Sequence, residues 1–423
     1  MRVVLISQNY HPMLGGIETQ VRMFAAELAR RGHAAEVVAA NFRPLRLPRR
    51  LAGRLAVLSD SLLIPRPDAA GRPEGDFDGS VRVHTLTPGR LDRVRMLPIA
   101  ARAIPRLQRY AYQPLYEFGY HWYRRVFGPR LRQILRGADV AHGFCGGYLG
   151  WAAQEAAAAV GVPYVCTPYV HPHQWGDDRA NVAYYHRSDT VMALSGTDRD
   201  YLITLGVPAD RVRLQGVVPL LPPSTDPSGF RRRHGIEPTD PLVLYVGRMM
   251  PQKGAQAVLA AAPLVWREAP RARFTFAGPH DAAAGSERWF AGADARVTYL
   301  GRVTDQEKAD ALAAADVFCM PSTSEILPAV YLEAWAYGKP VVGGQAHGLP
   351  ELIEGNGAGV TVEQTGPAVA AALSALLADP DRRVELGGRG RALVERRYST
   401  GAVVGTLESL YQGLVARQGS RAV

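Results

Sequence analysis

Lysine is nearly missing from this chain of 423 residues: Lys253, Lys308 and Lys339 are the only three, so the formal net charge of +10 is carried almost wholly by arginine. Cysteine is as scarce. Cys145, Cys166 and Cys319 lie singly in apolar surroundings without ligand-like spacing, which excludes a disulfide frame and a cysteine zinc site and points to reduced thiols in a cytoplasmic protein. No apolar run reaches the roughly 18 residues a membrane-spanning helix needs. The opening "MRVVLIS" reads as a strand and lacks the charged leader, long apolar core and small-residue cleavage site of a secretory signal. A short-period repeat and a low-complexity tail are absent as well, which excludes solenoids. So is the Gly-x-Gly-x-x-Gly fingerprint, and a nicotinamide cofactor is not indicated.

What is present is ordinary globular composition, 47% hydrophobic and 21% charged, in a chain long enough for two or three domains. "VVLIS", the helical "IETQVRMFAAELARRG" and "AEVVAA" open a strand–helix–strand series that continues through "VRVHTL", "DVAHGF", "PYVCTPY" and "TVMALS". In the first helix Ile17, Val21, Phe24 and Leu28 recur at helical spacing and Gly32 ends it. The Pro-, Ser- and Gly-rich stretch 216–229 reads as a linker. The alternation then restarts with "LVLYVG", a helix over 253–268, "RFTFAG", "VTYLG", a helix over 304–315, "VFCMP", a further helix and "GVTVE", with a last helix over 400–417. Alternation of this kind predicts an α/β protein of two doubly wound parallel-sheet domains, 1–217 and 218–399, with a ligand in the cleft between them and the last helix packing back on the first domain.

Charge is unevenly spread. Residues 43–136 hold 19 arginines against seven acidic residues, a net +12, mixed with aromatic and aliphatic side chains. Two readings compete: basic amphipathic helices on an anionic bilayer surface, and packed helices whose arginines reach out to water. Nucleic acid ranks lower, since no recognised motif accompanies the charge.

Chemistry-bearing side chains fall on strand-to-helix loops. "LVLYVGRMMPQKG" sets Arg248 and Lys253 beside Gly247 and a helix N-terminus, a pattern suited to a diphosphate. "STSEILPAVYLEAWAYGK" puts Glu325 on a loop and Glu333 in the helix that follows, with Pro328 at its start and Gly338 past its end. Read alone, these glutamates are surface charge as readily as a working pair. Joined to the two cations they suit a nucleotide sugar, which offers phosphate and hydroxyls together. Gly15 and Gly16 precede the first helix and suit close approach of a phosphate, or a tight turn. His11, His142, His171 and His173 are polar contacts for a substrate, His142 alternatively a core histidine; His171-x-His173 lacks further metal ligands. "GDFDG", with Asp76 and Asp78, reads as a surface turn, and "TDRD", from Thr197 to Asp200, as a helix start.

These stretches together resemble glycosyltransferase family 4, the retaining nucleotide-sugar transferases of the GT-B fold. The matches are "GGIETQV", "VMALSGTDRDYLITLGVPADRVRL", "LYVGRMMPQKG", "FTFAGP", "VTYLGRV", "AAADVFCMPSTSEILPAVYLEAWAYGKPVVGG" and "HGLPELIEGNGAGV". The resemblance implies two Rossmann-like domains, the first on the acceptor side and the second holding the donor. It implies that Arg248 and Lys253 neutralise the leaving diphosphate without a metal ion, that Glu325 contacts the transferred sugar and Glu333 the ribose, and that Gly15, Gly16, Gly247, Leu327, Pro328 and Ala329 line the donor. Three positions depart from the family pattern. Pro328, which has no N–H, stands where a glycine amide reaches the phosphate; Phe144 stands where a second histidine follows His142, leaving His171 as a substitute; and Gln215-Gly216 replaces Asn-Gly. The implied function is a cytoplasmic, membrane-peripheral transferase moving a sugar to a glycan, glycolipid or lipid-linked hydroxyl, with His11, His142, Phe144 and His173 on the acceptor side and no nucleic acid or cofactor. An epimerase or phosphorylase of the same fold, or a non-catalytic nucleotide-sugar binder, is the alternative.

Overall fold

The computed structural model describes residues 1–11, 15–40, 42–43, 64–65, 76–89, 91–92, 94, 105–144, 146–281 and 284–421, with backbone alone for 42–43, 64–65, 76–77, 105–116 and 420–421. Cys145 and most of the basic stretch between 44 and 104 lie outside the described residues. Two compact units form: Met1–Ala193 with Leu202–Arg213 and Val404–Val423, and Leu194–Tyr201 with Leu214–Val403.

The strands of the first unit are β1 (Arg2–Ser7), β2 (Ala34–Ala39), β3 (Phe42–Arg43), β4 (Ile64–Pro65), β5 (Asp76–Asp78), β6 (Val81–Thr85), β7 (Val140–Phe144), β8 (Tyr164–Thr167), β9 (Thr190–Ala193) and β10 (Val212–Leu214). Eight of them make one sheet in the order β10-β9-β8-β7-β1-β2-β6-β5, while β3 and β4 pair separately. β1 runs parallel to β2 on one side and to β7 on the other, with Val3 opposite Val140 and Leu5 opposite His142. The chain therefore leaves β1 in one direction and returns on its other flank, and the gap between the ends of β1 and β7 is the switch point where such sheets bind ligands. Val3 to Ile6 and all of β7 are buried, the unbroken apolar run of a parallel strand covered on both faces.

Helices α1 (Gly16–Arg30), α2 (Pro105–Leu135), α3 (Gly147–Ala159), α4 (Arg179–Arg187) and α5 (Gly196–Thr204) alternate with these strands. α1 buries Val21, Phe24 and Leu28 of the stripe its sequence spacing predicts, with Ile17 half-buried. α4 starts on Asp178, whose carboxylate accepts the Ala180 and Asn181 amides. α2 is a 31-residue helix that meets α3 through aromatic contacts, Tyr120 edge-on to Trp151 at 5.3 Å and Tyr123 tilted on Tyr148 at 5.6 Å between ring centres. The surface turn expected at Asp76–Asp78 is instead a strand, antiparallel to β6, and only Gly79 and Ser80 turn. Asp78 is drawn in because Arg22 (2.8 Å) and the Tyr10 hydroxyl (3.0 Å) bind its carboxylate.

The second unit carries α6 (Pro227–Arg233), β11 (Leu242–Val246), α7 (Ala255–Val265), β12 (Arg273–Ala277), β13 (Val297–Gly301), α8 (Asp305–Ala314), β14 (Val317–Met320), α9 (Ala329–Ala336), β15 (Val341–Gly343), α10 (Leu349–Ile353), β16 (Gly359–Thr361), α11 (Gly366–Ala378) and α12 (Pro380–Leu393). Its sheet runs β13-β12-β11-β14-β15-β16, and every neighbouring pair is parallel. Here the switch point lies between β11 and β14. α6 begins inside the stretch read as a linker, with Asp226 accepting the Gly229 amide and Pro227 in the first turn. Thr304 and Glu307 close a reciprocal capping box on α8. The last helix, α13 (Thr400–Arg421), belongs to the first unit from Val404 onward. Glu408 on it binds Arg31 at 2.8 Å and His33 at 2.9 Å.

Candidate active site

In the second unit the loops leaving β11 and β14 flank the switch point, and they are fastened to each other. Lys253 ends the short 3-10 turn Pro251–Lys253; its Nζ lies 2.5 Å from Glu325 Oε1 and 3.1 Å from the Ser324 carbonyl oxygen. The Gln252 carbonyl accepts the Thr323 amide (2.9 Å), the Ser322 hydroxyl (3.0 Å) and the Gln364 side-chain amide (3.1 Å). Between them Gly254 takes φ +83°, and a Cβ there would come within 2.7 Å of the Pro321 carbonyl oxygen, so only glycine lets the two backbones meet. Arg248 is exposed, and among the described residues it has no ion pair. Its carbonyl is held by the Tyr245 hydroxyl at 3.1 Å. Burial, and after it the Glu325 charge, raises the Tyr245 and Tyr331 hydroxyls well above the ordinary tyrosine range. They stay donors, Tyr331 to the Met320 carbonyl at 2.5 Å. The site thus holds one carboxylate already neutralised by one lysine, and a second cation free to meet an anion.

Leu327 and Pro328 are buried, Pro328 is the cap residue of α9, and Ala329 is its first helical residue. Gly338, at φ +69°, follows the helix end. Glu333 is turned toward a different cation. It is 4% exposed, and its Oε1 accepts Lys308 Nζ at 2.8 Å and the Leu220 amide at 3.3 Å. Burial raises its carboxyl above the ordinary glutamate range against the pull of Lys308. The structure therefore fastens the Lys253 loop to the Glu325 loop ahead of α9, sets Gly247 and Arg248 on the loop after β11, and ties Glu333 to α8.

In the first unit His11, Gly15 and Gly16 follow β1. Gly15 is extended ahead of α1, and a Cβ at Gly16 would meet no atom within 4 Å. His171 lies after β8 with its ring 4.7 Å from that of Trp175. His173 is exposed in the left-handed region at φ +59°, its amide donating to Asp177 at 2.7 Å. Two residues expected on the acceptor side lie in the core, His142 as its alternative reading has it. His142 is wholly buried, with Tyr411 Oη 2.6 Å from Nδ1 and Thr167 Oγ1 2.7 Å from Nε2. Phe144 is buried and stacked on it at 4.2 Å. Both ring nitrogens are spent inside the core, and burial lowers the imidazole to about 3, so His142 is a neutral core histidine. Among the described residues no three His, Cys, Asp or Glu side chains are grouped as a metal site requires.

Residues 15–217 match the family described as glycosyl transferase 4-like domain, and residues 240–379 match glycosyl transferases group 1. The chain belongs to glycosyltransferase family 4. A GDP-mannose-dependent alpha-(1-6)-phosphatidylinositol monomannoside mannosyltransferase of Mycobacterium tuberculosis is 27% identical to this glycosyltransferase over 428 residues, 97% of this chain and 98% of its own. A GDP-mannose-dependent monoacylated alpha-(1-6)-phosphatidylinositol monomannoside mannosyltransferase of Corynebacterium glutamicum is 34% identical over 182 residues, 41% of this chain, so the match spans about half (48%) of that relative. Among solved structures, sucrose-phosphate synthase of Thermosynechococcus elongatus is similar at a TM-score of 0.69 with 20% identity, over 99% of this chain and 100% of that one. Anabaena HepE in complex with UDP-glucose gives 0.67 with 17% identity over 98% and 100%. These likenesses establish the GT-B fold.

The residue that sequence reasoning missed in this glycosyltransferase is Lys308. Helical periodicity does not say which helices are neighbours, so its pairing with Glu333 was invisible. Its rarity was the available signal, since two of the chain's three lysines answer the two glutamates of one loop–helix unit.

Proposed function

We propose that the chain is a retaining, metal-independent glycosyltransferase that moves a sugar from a nucleotide-diphosphate donor to a hydroxyl of a glycolipid or other lipid-linked or glycan acceptor. The observation that carries this reading is the fastening of the Lys253 and Glu325 loops across the β11/β14 switch point, with Arg248 unpaired beside them. In the reaction the bond from the anomeric carbon to the leaving phosphate oxygen breaks and a bond to the acceptor oxygen forms on the same face. A leaving phosphate oxygen takes the acceptor's proton. Arg248 and Lys253 supply positive charge where the diphosphate gains negative charge, the term that dominates such catalysis. Glu325 receives sugar hydroxyls as Lys253 turns to phosphate, and Glu333 receives ribose hydroxyls. Gly15 and Gly16 admit the diphosphate to the front of α1, and Leu327 and Ala329 supply amides on either side of Pro328, which has none. His171 is the candidate polar group near the reacting atoms, with His11 and His173 toward the acceptor.

The names of the mycobacterial and corynebacterial relatives support GDP-mannose as donor and a phosphatidylinositol glycolipid as acceptor. The arginine-rich segment 43–136 supports peripheral docking at the cytoplasmic face of an anionic membrane; no described helix is long and apolar enough to cross one. The test is a thermal-shift panel of nucleotide sugars followed by transfer assays with EDTA and NMR of the product's anomeric proton. Selective donor binding, transfer in EDTA and a retained anomeric configuration are expected. An inverted product or abolition by EDTA refutes the mechanism, and full activity in Glu325→Ala or Lys253→Ala refutes the site.

A further inference from the structure

The first unit contains a cavity of about 440 Å³ between α2, α3 and α4, lined by Glu117, Tyr120, Trp151, Glu155, Arg179 and Arg187 among others. That volume lies in the range of small-molecule sites, and its wall has mixed chemistry. The Tyr120 and Trp151 rings meet edge to face at 5.3 Å and supply apolar surface. Glu155 is already answered by Arg124 at 3.2 Å. Arg179 and Arg187, the first and last residues of α4, are exposed, and among the described residues neither has an ion pair or a side-chain hydrogen bond. The Tyr120 hydroxyl is buried without a well-formed hydrogen bond; its loose partner is the Glu155 carboxylate, and Arg124 and Arg187 act on it from the other side. A buried hydroxyl held so loosely gains from a better-placed partner.

We propose that this cavity binds a phosphorylated polyol or sugar ring. The ring's carbon face lies on Tyr120 and Trp151, its hydroxyls donate to Glu117 and Glu155, one of its oxygens completes the Tyr120 hydroxyl, and its phosphate is held by Arg179 and Arg187. Aromatic faces with carboxylates recognise hydroxylated rings, and planar guanidinium groups bind phosphate through paired hydrogen bonds. Carboxylates on the wall select against bare inorganic phosphate, and arginines select against a neutral polyol. The assignment goes beyond the donor reading, since none of these six residues is placed in the transfer chemistry. It concerns recognition only.

The test is calorimetry on the full chain without nucleotide sugar, using myo-inositol 1-phosphate and glucose 6-phosphate as probes, with myo-inositol and inorganic phosphate as controls. A phosphorylated ring is expected to bind at least about tenfold more tightly than either control, the scale of one charge-assisted hydrogen bond. Arg179→Ala with Arg187→Ala brings the affinity down to that of myo-inositol, and Tyr120→Phe weakens it by about three- to tenfold. Both variants keep the thermal shift produced by nucleotide sugar, so loss here is distinct from loss of the donor site. A second arm uses phosphatidylcholine vesicles containing phosphatidylinositol. Vesicle binding displaced by myo-inositol 1-phosphate assigns the ring to a lipid headgroup, and soluble binding without vesicle binding assigns it to a free sugar phosphate; both uphold the site. No binding of either phosphorylated ring, equal binding of inorganic phosphate, or unchanged affinity in the double arginine variant overturns it.

Discussion

Replacing Lys308 by methionine keeps most of the volume beside α9 but removes the cation from Glu333, a carboxylate whose side chain is 5% exposed. Breaking a buried ion pair from one side leaves an uncompensated charge, at a cost of about 3–5 kcal/mol. For a unit of roughly 200 residues each kcal/mol moves the midpoint by about 2–4 °C, so Lys308→Met lowers the melting temperature by roughly 6–20 °C at pH 8. The loss depends on pH with a definite sign. Burial already raises the Glu333 carboxyl above 4.5 in the folded state, and losing Lys308 raises it further. A carboxyl whose folded pKa is raised stabilises the protein fully below its unfolded pKa, and that contribution is lost as pH rises through the folded value. The deficit of Lys308→Met against the parent is therefore largest at pH 8 and shrinks toward pH 5. In Glu333→Gln, Lys308→Met together, the glutamine oxygen still accepts the Leu220 amide and no charge is stranded, so most of the stability returns. Calorimetric melts of the four proteins of this cycle at pH 8 and pH 5 decide it. A deficit of equal size at both pH values, or a double variant as unstable as the single, refutes the assignment of Glu333 and Lys308 as a buried charge pair.

Arg248→Ala lowers kcat/KM by about 10²–10³, the scale of one lost transition-state contact, while the melting temperature stays within about 2 °C because the side chain is exposed; lost stability with intact activity refutes its role. Gly254→Ala forces a Cβ against the Pro321 carbonyl at a positive φ. It costs about 1–3 kcal/mol and lowers activity by parting the two loops, both readable from a denaturant titration and an initial-rate assay. The His142 ring stays neutral at pH 5, since burial holds it near 3. A histidine lowered in this way supports stability above the unfolded value of about 6.5, and that support is lost as pH falls toward 3. Ring-carbon chemical shifts that titrate between pH 5 and 7 refute it.

Much of this architecture is legible in the sequence because parallel strands advertise themselves. "VVLIS" and "LVLYV" are unbroken apolar runs, and a strand, a loop with Arg248 and Lys253 and then a helix can only set those cations at a sheet edge. Glu325 was placed by the same grammar. Asp76 and Asp78 misled because charge between glycines is the composition of a turn. Arg22 and Tyr10, far off in sequence, made that charge worth drawing in. His142 and Glu333 were equally opaque: their partners Tyr411, Thr167 and Lys308 come from distant elements, and periodicity within one element carries no record of them.

The sparing use of lysine has a chemical corollary. All three lysines fall in the second unit, and Lys253 and Lys308 are held on Glu325 and Glu333. Amine-selective acylation of this enzyme therefore has few targets beyond the chain's own amino group. One of them is a proposed phosphate ligand whose modification a bound donor would block, so mass spectrometry of a single labelled peptide reads out occupancy of the site without any knowledge of the acceptor.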